Sequence, residues 1–162
     1  MRAGEREALR RRFHFRCGYC GVSERDAGAE LTADHFQPRS QGGLHEPDNL
    51  VYCCHACNEF KGDFWQPTLS RRILHPLKDD LASHLIERED GTLQALSETG
   101  AFHIEKLHLN RPQLIEYRHK QRRLEAARQA QARLLQRLQR LEEQVKAITT
   151  QLEQLGRDDL IP

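Results

Sequence analysis

The chain has 162 residues, 38% apolar and 30% charged, with a formal net charge of +1; this suits one compact domain, or a smaller one with an appendage, and leaves no length for two full domains. No stretch approaches the roughly 18 uninterrupted apolar residues of a membrane span, and the opening Met-Arg-Ala-Gly-Glu-Arg-Glu lacks the apolar run of a signal peptide, so a cytoplasmic protein with no membrane contact is expected. The near-neutral total hides segregation, because residues 1–20, 21–110, 111–141 and 142–162 carry +4, −7, +7 and −3, the balance of a protein that grips phosphate at its edges and holds a cation in its middle.

In chain order, the first predicted element is a helix ending in Arg10-Arg11-Arg12-Phe13-His14-Phe15-Arg16, where basic residues interleave with aromatics. Such a segment suits a DNA backbone, adding salt-dependent affinity without sequence information. Equally, Phe13 and Phe15 can pack in a small core with the arginines in solvent, and the two readings are compatible. Aromatics are sparse elsewhere and leucines abundant, so a large core has to be helical, while Phe13–Tyr19 and Phe60–Trp65 share a smaller one.

The five cysteines, Cys17, Cys20, Cys53, Cys54 and Cys57, lie within 41 residues. An odd count in a chain expected in the cytoplasm is a poor disulfide framework. Cys17-Gly18-Tyr19-Cys20 and Cys54-His55-Ala56-Cys57 are two C-x-x-C knuckles, the spacing at which two thiolates of one tight turn take adjacent corners of a tetrahedron around Zn2+. Four thiolates close the site, so the zinc is expected to be structural and to replace a core too small to hold the head together. Cys53 reads as a small buried apolar side chain; His55 has no spacing that demands ligation, although its place inside the second knuckle would let it compete with Cys54 or Cys57. His14, His45, His75, His84, His103, His108 and His119 have no spacing that demands ligation.

Between the knuckles, Leu31–His35 reads as a short strand, Pro38–Pro47 as a loop punctuated by Gly and Pro, and Leu50–Cys53 as a returning strand, after which Asn58-Glu59-Phe60-Lys61-Gly62-Asp63 opens a helix. The succession Cys17-x-x-Cys20, Asp34-His35-x-x-Pro38-x-Ser40-x-Gly42-Gly43, Asn49-Leu50 and Cys54-x-x-Cys57-Asn58-x-x-Lys61-Gly62 resembles the HNH endonucleases of the zinc-stapled ββα-metal type, over about residues 13–66. The resemblance implies metal-dependent hydrolysis of DNA phosphodiester bonds. By position it implies His35 as the general base, Asn49 as the residue bracing the loop that holds it, and Asn58 in the place of the family's second histidine. Asp34 and Asn58 are then ligands of one catalytic divalent ion.

The residue types suit that chemistry on their own terms. Phosphodiester hydrolysis needs a deprotonated water, compensation of charge growing on the phosphoryl oxygens and help for the departing 3′ oxygen. A histidine such as His35, with an ordinary pKa of about 6.5, is largely free base in the cytoplasm. One carboxylate and one amide oxygen suit Mg2+ or Mn2+, which prefer oxygen and keep several waters. Asn58 and Lys61, three apart on a helix, share a face, so the ammonium can touch the phosphate that the ion holds. Neighbours on a regular strand point to opposite faces, so Asp34 and His35 serve one centre only if the strand ends there.

Residues 67–111 read as a linker and small extension that resembles the tail of some bacterial HNH proteins and names no chemistry. Ser83–Glu89 and Thr92–Ser97 form a hairpin around Asp90-Gly91, and Thr99 caps a helix over Gly100–Leu109. Asn110 and Pro112 then open a helix with no further Gly or Pro until Gly156. Leu124, Ala127, Gln131, Leu134, Leu138, Leu141, Val145, Ile148, Leu152 and Leu155 recur at alternating steps of three and four, a heptad seam. At about 1.5 Å per residue this helix is about 65 Å long, against about 30 Å for a domain of some 70 residues. It is expected to overhang and to pair with its own copy, as a homodimer, or with another protein.

The expected architecture is α+β, with a small zinc-bound ββα-metal head over 1–68, a short β-hairpin and helix extension over 69–111, a coiled-coil helix over 112–156 and a tail over 157–162. Two functions fit. One is a DNA endonuclease or nickase, by analogy the nuclease of a bacterial defence system; the other is a zinc-stabilised DNA-binding or adaptor module with an idle site. The intact set Asp34, His35, Asn49, Asn58 and Lys61 favours the first.

Overall fold

Strand β1 (Thr32–His35) pairs antiparallel with β2 (Leu50–Cys53), placing Thr32 opposite Cys53 and His35 opposite Leu50. In the computed structural model, which describes residues 2–67 and 70–158, every residue of β2 is buried, as a short uninterrupted apolar run demands. Cys53 is fully buried and lies outside the other cysteines' cluster. The chain divides into two units, Met1–His119 and Lys120–Pro162.

In the first unit, α1 (Ala3–Arg12) buries Leu9 and leads into Phe13, also buried. A single turn, α2 (Glu24–Ala27), is capped by the Ser23 hydroxyl, which accepts the Asp26 N–H. It buries no side chain, and hydrophobic periodicity therefore gives no sign of it. Helix α3 (His55–Lys61) starts three residues before the expected Asn58, because Cys54 is its N-cap residue and the second knuckle forms its first turn. The structure is mixed α+β, as expected.

The extension follows the expected order with shifted boundaries. Strands β3 (Leu85–Glu87) and β4 (Leu93–Ala95) pair around Asp90-Gly91, with Gly91 at φ 75°. Helix α4 (Glu98–Lys106) is capped by Ser97, whose hydroxyl accepts the Gly100 N–H at 3.0 Å, so it begins before Thr99, which is buried instead of capping. Gly100 is required here, since a Cβ would sit 2.1 Å from the His84 carbonyl oxygen. Asn110 does not cap the next helix either: its amide accepts from the Leu93 N–H at 2.7 Å and donates to the Leu93 carbonyl at 2.8 Å. Helix α5 (Pro112–Asp158) begins with proline in its first turn and passes through Gly156.

One core serves the first unit, with Leu9, Phe13, Leu31, Val51 and Tyr52 joined by Ile73, Leu107, Leu109 and Leu114 from the later segments. Two turns into α5, the buried Arg118 donates to the carbonyls of Gly91 and Leu109. In the second unit, every side chain from 122 to 154 is exposed, including Leu134, Leu138, Leu141, Val145, Ile148 and Leu152. The side chain of Leu155 and tail residues 159–162 fall outside the described residues. No described helix is long and apolar enough to cross a membrane.

His103 on α4 ties the extension to the linker, its Nδ1 accepting the Leu74 N–H at 3.0 Å while Nε2 is buried without a partner among the described residues. Burial pushes its pKa down to about 4. Its neutral form stabilises the fold fully above the unfolded value near 6.5, and that contribution is lost as pH falls from 6.5 toward 4. The loss is on the order of 3 kcal/mol. His103→Gln, which retains an acceptor for Leu74, is therefore expected to narrow the gap between urea midpoints at pH 7 and pH 4.5; an unchanged gap excludes His103 as the titrating group.

Candidate active site

The two knuckles meet at one end of the hairpin. The sulfurs of Cys17, Cys20, Cys54 and Cys57 all lie within 4.8 Å of one another, and Cys20 Sγ is 3.7 Å from Cys54 Sγ. Corners of a tetrahedron with metal–sulfur bonds of about 2.3 Å stand about that far apart, so the cluster is positioned to bind a metal. The Cys17 turn is tightened by Cys17 N–H donating to Val22, and fixed on β2 by Gly18 N–H donating to Tyr52 at 2.7 Å. Hydrogen bonds from the other three sulfurs pull the Cys54 thiol down, as a shared thiolate cluster does. His55 is 86% exposed at its side chain and lies 3.6 Å from Glu59, outside the cluster.

At the other end, β1 ends with His35, and Asp34 and His35 are both paired within it, opposite Val51 and Leu50. Asp34 is buried, accepting from the Tyr19 hydroxyl at 2.8 Å and from Lys61 Nζ at 3.1 Å. Burial raises its carboxyl above the ordinary value, against the opposing pull of the Lys61 ammonium and the Tyr19 hydroxyl. Lys61 is 1% exposed, and its ammonium also donates to the carbonyls of His35 at 3.0 Å and Gly62 at 3.3 Å. The ammonium thus holds the backbone of the catalytic candidate as well as the carboxylate beside it. Asn58 lies one turn earlier on α3, half-buried, with its backbone N–H donating to the Cys54 carbonyl at 3.0 Å.

His35 is half-buried, its Nε2 3.0 Å from His45 Nδ1. Burial, then the neighbouring His45 and Arg39, lower its pKa below the ordinary value, so the imidazole is neutral at pH 7. His45 Nε2 is 3.9 Å from the Glu5 carboxylate. Spacing gave no reason to select His45 or Tyr19; the first reaches the site because the loop doubles back, the second because the first knuckle sits beneath β1. Gly42, at φ 83°, and Gly43 make that return. A Cβ on Gly43 would lie 1.9 Å from the Gln37 carbonyl oxygen.

Asn49 pins the same loop from the other side. Its Oδ1 accepts the Gln37 N–H at 2.8 Å, and its Nδ2 donates to the carbonyls of Gln37 at 3.0 Å and Leu44 at 2.8 Å. Beside the loop lies a cleft of about 510 Å³ lined by Phe36, Gln37, Asn49, Trp65, His75 and Lys78 among others.

The basic N-terminal segment is largely consumed within the fold. Arg10 bonds both Glu24 oxygens at 2.8 and 2.9 Å, Arg11 bonds Glu7 at 2.7 Å, and Arg12 bonds Asp48 at 2.9 Å. Phe13 is in the core while Phe15 is 41% exposed. Of the two readings of this stretch, packing accounts for Phe13, while Arg11 and Arg12 are exposed and also meet carboxylates.

The three bonds of Asn49 generate a graded test. Asn49→Asp keeps the acceptor for Gln37 N–H and removes both donors, whereas Asn49→Ala removes all three bonds. The Gln37 amide is expected to stay protected from hydrogen exchange in the Asp variant and lose about 1–3 kcal/mol of protection in the Ala variant. Equal protection in wild type and Asn49→Ala would exclude the bracing role.

Comparison with known proteins agrees with this geometry. Residues 17–64 match the family model described as HNH endonuclease. A stretch of 48 residues, 29% of this chain, is 42% identical to the CRISPR-associated endonuclease Cas9 of Corynebacterium diphtheriae, and it spans 4% of that protein's length. No solved structure matches the chain. Both knuckles, the β1–β2 hairpin and α3 fall inside the matched stretch, and residues 17–64 are an HNH endonuclease domain followed by an extension and a long helix.

Proposed function

We propose that this protein is a metal-dependent endonuclease that hydrolyses DNA phosphodiester bonds at His35. The observation that carries the reading is the position of His35: a neutral imidazole on the last residue of β1, next to the Asp34–Lys61 pair, on a loop closed by Asn49. In this role His35 takes a proton from the attacking water, the usual work of a histidine tuned below neutral pH. Asn49 holds the loop and Lys61 fixes the His35 carbonyl and the Asp34 carboxylate, acting as a positioning residue with its ammonium turned inward. Asp34 and Asn58 form an oxygen donor set suited to Mg2+ or Mn2+. Such an ion, when bound, compensates charge on the phosphoryl group and on the departing 3′ oxygen.

The four-cysteine cluster is assigned to structural Zn2+, since four closely set thiolates leave no open position for substrate. Trp65 and Lys78 in the adjacent cleft offer a ring and a cation to a DNA strand. We read residues 1–68 as the nuclease head, 69–111 as the extension, 112–156 as a coiled-coil helix and 157–162 as its tail. The exposed leucine seam supports pairing with a second copy or another protein, and the likeness to a CRISPR-associated endonuclease supports a cytoplasmic role in defence against foreign DNA.

His35→Ala is expected to keep zinc and DNA binding while slowing Mg2+- or Mn2+-dependent plasmid cleavage by on the order of 10²–10⁴-fold. Wild-type cleavage by that variant under chemistry-limited conditions would overturn the assignment, and a wild-type protein that binds DNA without cutting it would favour the adaptor reading. In the wild type, His35 basicity lowered by burial and by the neighbouring His45 and Arg39 is expected to move the acid limb of the rate to lower pH than an ordinary histidine gives, so activity falls on acidification with a midpoint below pH 6.5; a midpoint above 6.5 counts against His35 as the base.

For the helix, Leu138→Asp with Leu141→Asp removes two seam positions while leaving every arginine in place. Sedimentation of wild type and double variant, in the presence of whatever co-purifies from the native host, is expected to show a lost dimer or partner. An assembly unchanged by both substitutions excludes the seam as the interface.

A further inference from the structure

The extension reaches the cysteine cluster through Arg111, at the junction of α4 and α5. Arg111 Nη2 lies 3.7 Å from Cys57 Sγ and 4.0 Å from Cys54 Sγ. Its Nη1 donates to the carbonyls of Leu107 and His108, each at 3.2 Å. The guanidinium lies over the Phe60 ring, 5.4 Å from its centroid, and Phe60 in turn meets the His108 ring at 4.4 Å. Phe60 is on α3, one turn beyond Cys57, so the arginine is held by both the helix that carries two of the sulfurs and the turn that follows α4.

Two features separate this contact from an ordinary helix-end brace. Arg111 is partly buried and has no carboxylate partner among the described residues, unlike Arg10, Arg12 or Arg72. The anionic groups it faces are the sulfurs. Four thiolates around one Zn2+ leave a double negative charge, and in a partly buried site a guanidinium is the cation best suited to offset it, because it is weakly hydrated and presents several N–H groups in one plane.

We propose that Arg111 is a positioning residue for the metal centre. Its N–H groups hydrogen-bond the thiolates of Cys54 and Cys57, draw charge from them and slow release of the ion, so that metal retention in the nuclease domain depends on the α4–α5 junction outside it. The proposal rests on the reading of the four cysteines as a zinc site. It also makes the beginning of α5 part of the head, as the burial of Leu114 and Arg118 in the same unit does.

The test uses the full chain and two metal readouts. Zinc affinity is measured by competition with a chromogenic chelator, and the thiolate-to-metal charge-transfer band is recorded after replacement by Co2+. Arg111→Met is expected to weaken zinc binding by on the order of 10–100-fold, the usual effect of removing an outer-shell partner. It should also move the Co2+ band to lower energy, because a sulfur that accepts fewer hydrogen bonds gives up its electron more readily. A folded Arg111→Met that keeps wild-type affinity and an unmoved band overturns the proposal and leaves Arg111 as a brace for Leu107 and His108. Should Arg111→Met fail to fold, Arg111→Lys carries the test, since it keeps the charge but not the planar fork: a moved band supports the proposal and an unmoved one overturns it. Failure of the underlying zinc assignment is distinguishable, because the wild type would then bind no stoichiometric zinc and give no tetrathiolate cobalt spectrum.

Discussion

The convergence of four sulfurs from two knuckles is the constraint on which the rest of this protein depends. Cys20 and Cys54 are 34 positions apart, and their sulfurs stand 3.7 Å from each other. Everything chemically interesting between them, β1, the glycine-bearing loop and β2, is a closed excursion from that point. A two-stranded hairpin of four-residue strands is marginal by itself. It is held here because one knuckle hydrogen-bonds β2 through Gly18 while the other runs directly into α3. A zinc ion in the cluster, as proposed, contributes on the order of 10 kcal/mol to such a fold, far more than a hairpin of this size gains from its own pairing.

From that base the chain sets Asp34 and His35 as the last two residues of β1, where the strand runs out into the loop. Lys61 joins them. Its ammonium is almost wholly buried, a costly arrangement unless it is paired and its donors are satisfied, and it meets both conditions with one carboxylate and two carbonyls. Removing Lys61 would thus leave a buried carboxylate without its cation and the His35 carbonyl without its donor. The pair is buried whereas His35 is only half-buried, so the ammonium holds local geometry while the imidazole remains open to solvent.

Charge along the chain is redistributed by folding in a way that segment totals conceal. Beyond Glu7, already counted in that segment, the N-terminal arginines face Glu24, Glu30 and Asp48, so much of the +4 of residues 1–20 is met by carboxylates elsewhere in the first unit. The arginine-rich stretch of α5 differs in kind. Arg111 and Arg118 are engaged inside the first unit, against sulfurs and carbonyls, whereas the basic residues from 122 to 154 lie on the stretch of α5 whose side chains are all exposed. A single count for residues 111–141 therefore mixes two populations with different surroundings.

Local spacing was enough to read the two knuckles, the strand pair to within one residue, the turn at Asp90-Gly91, the order of the extension and the long helix with its run of leucines. These were legible because a C-x-x-C turn, an apolar run between breakers and a heptad each encode structure within a few residues. The resemblance further singled out Asp34, His35, Asn49, Asn58 and Lys61, which the fold places on the β1–β2 hairpin, its loop and α3. Contacts that need long-range approach emerge only on folding. Tyr19 on Asp34, His45 on His35 and Arg111 on the sulfurs of Cys54 and Cys57 are separated by 15, 10 and at least 54 positions, and no periodicity links them. Helix caps depend on the same kind of approach: Ser97 and Thr99 are both competent to cap α4, and Gly100 packs against His84 where Ser97 does so, while Asn110, competent to cap α5, is spent on Leu93 instead, contacts that exist only once the hairpin and the helices around it have packed together.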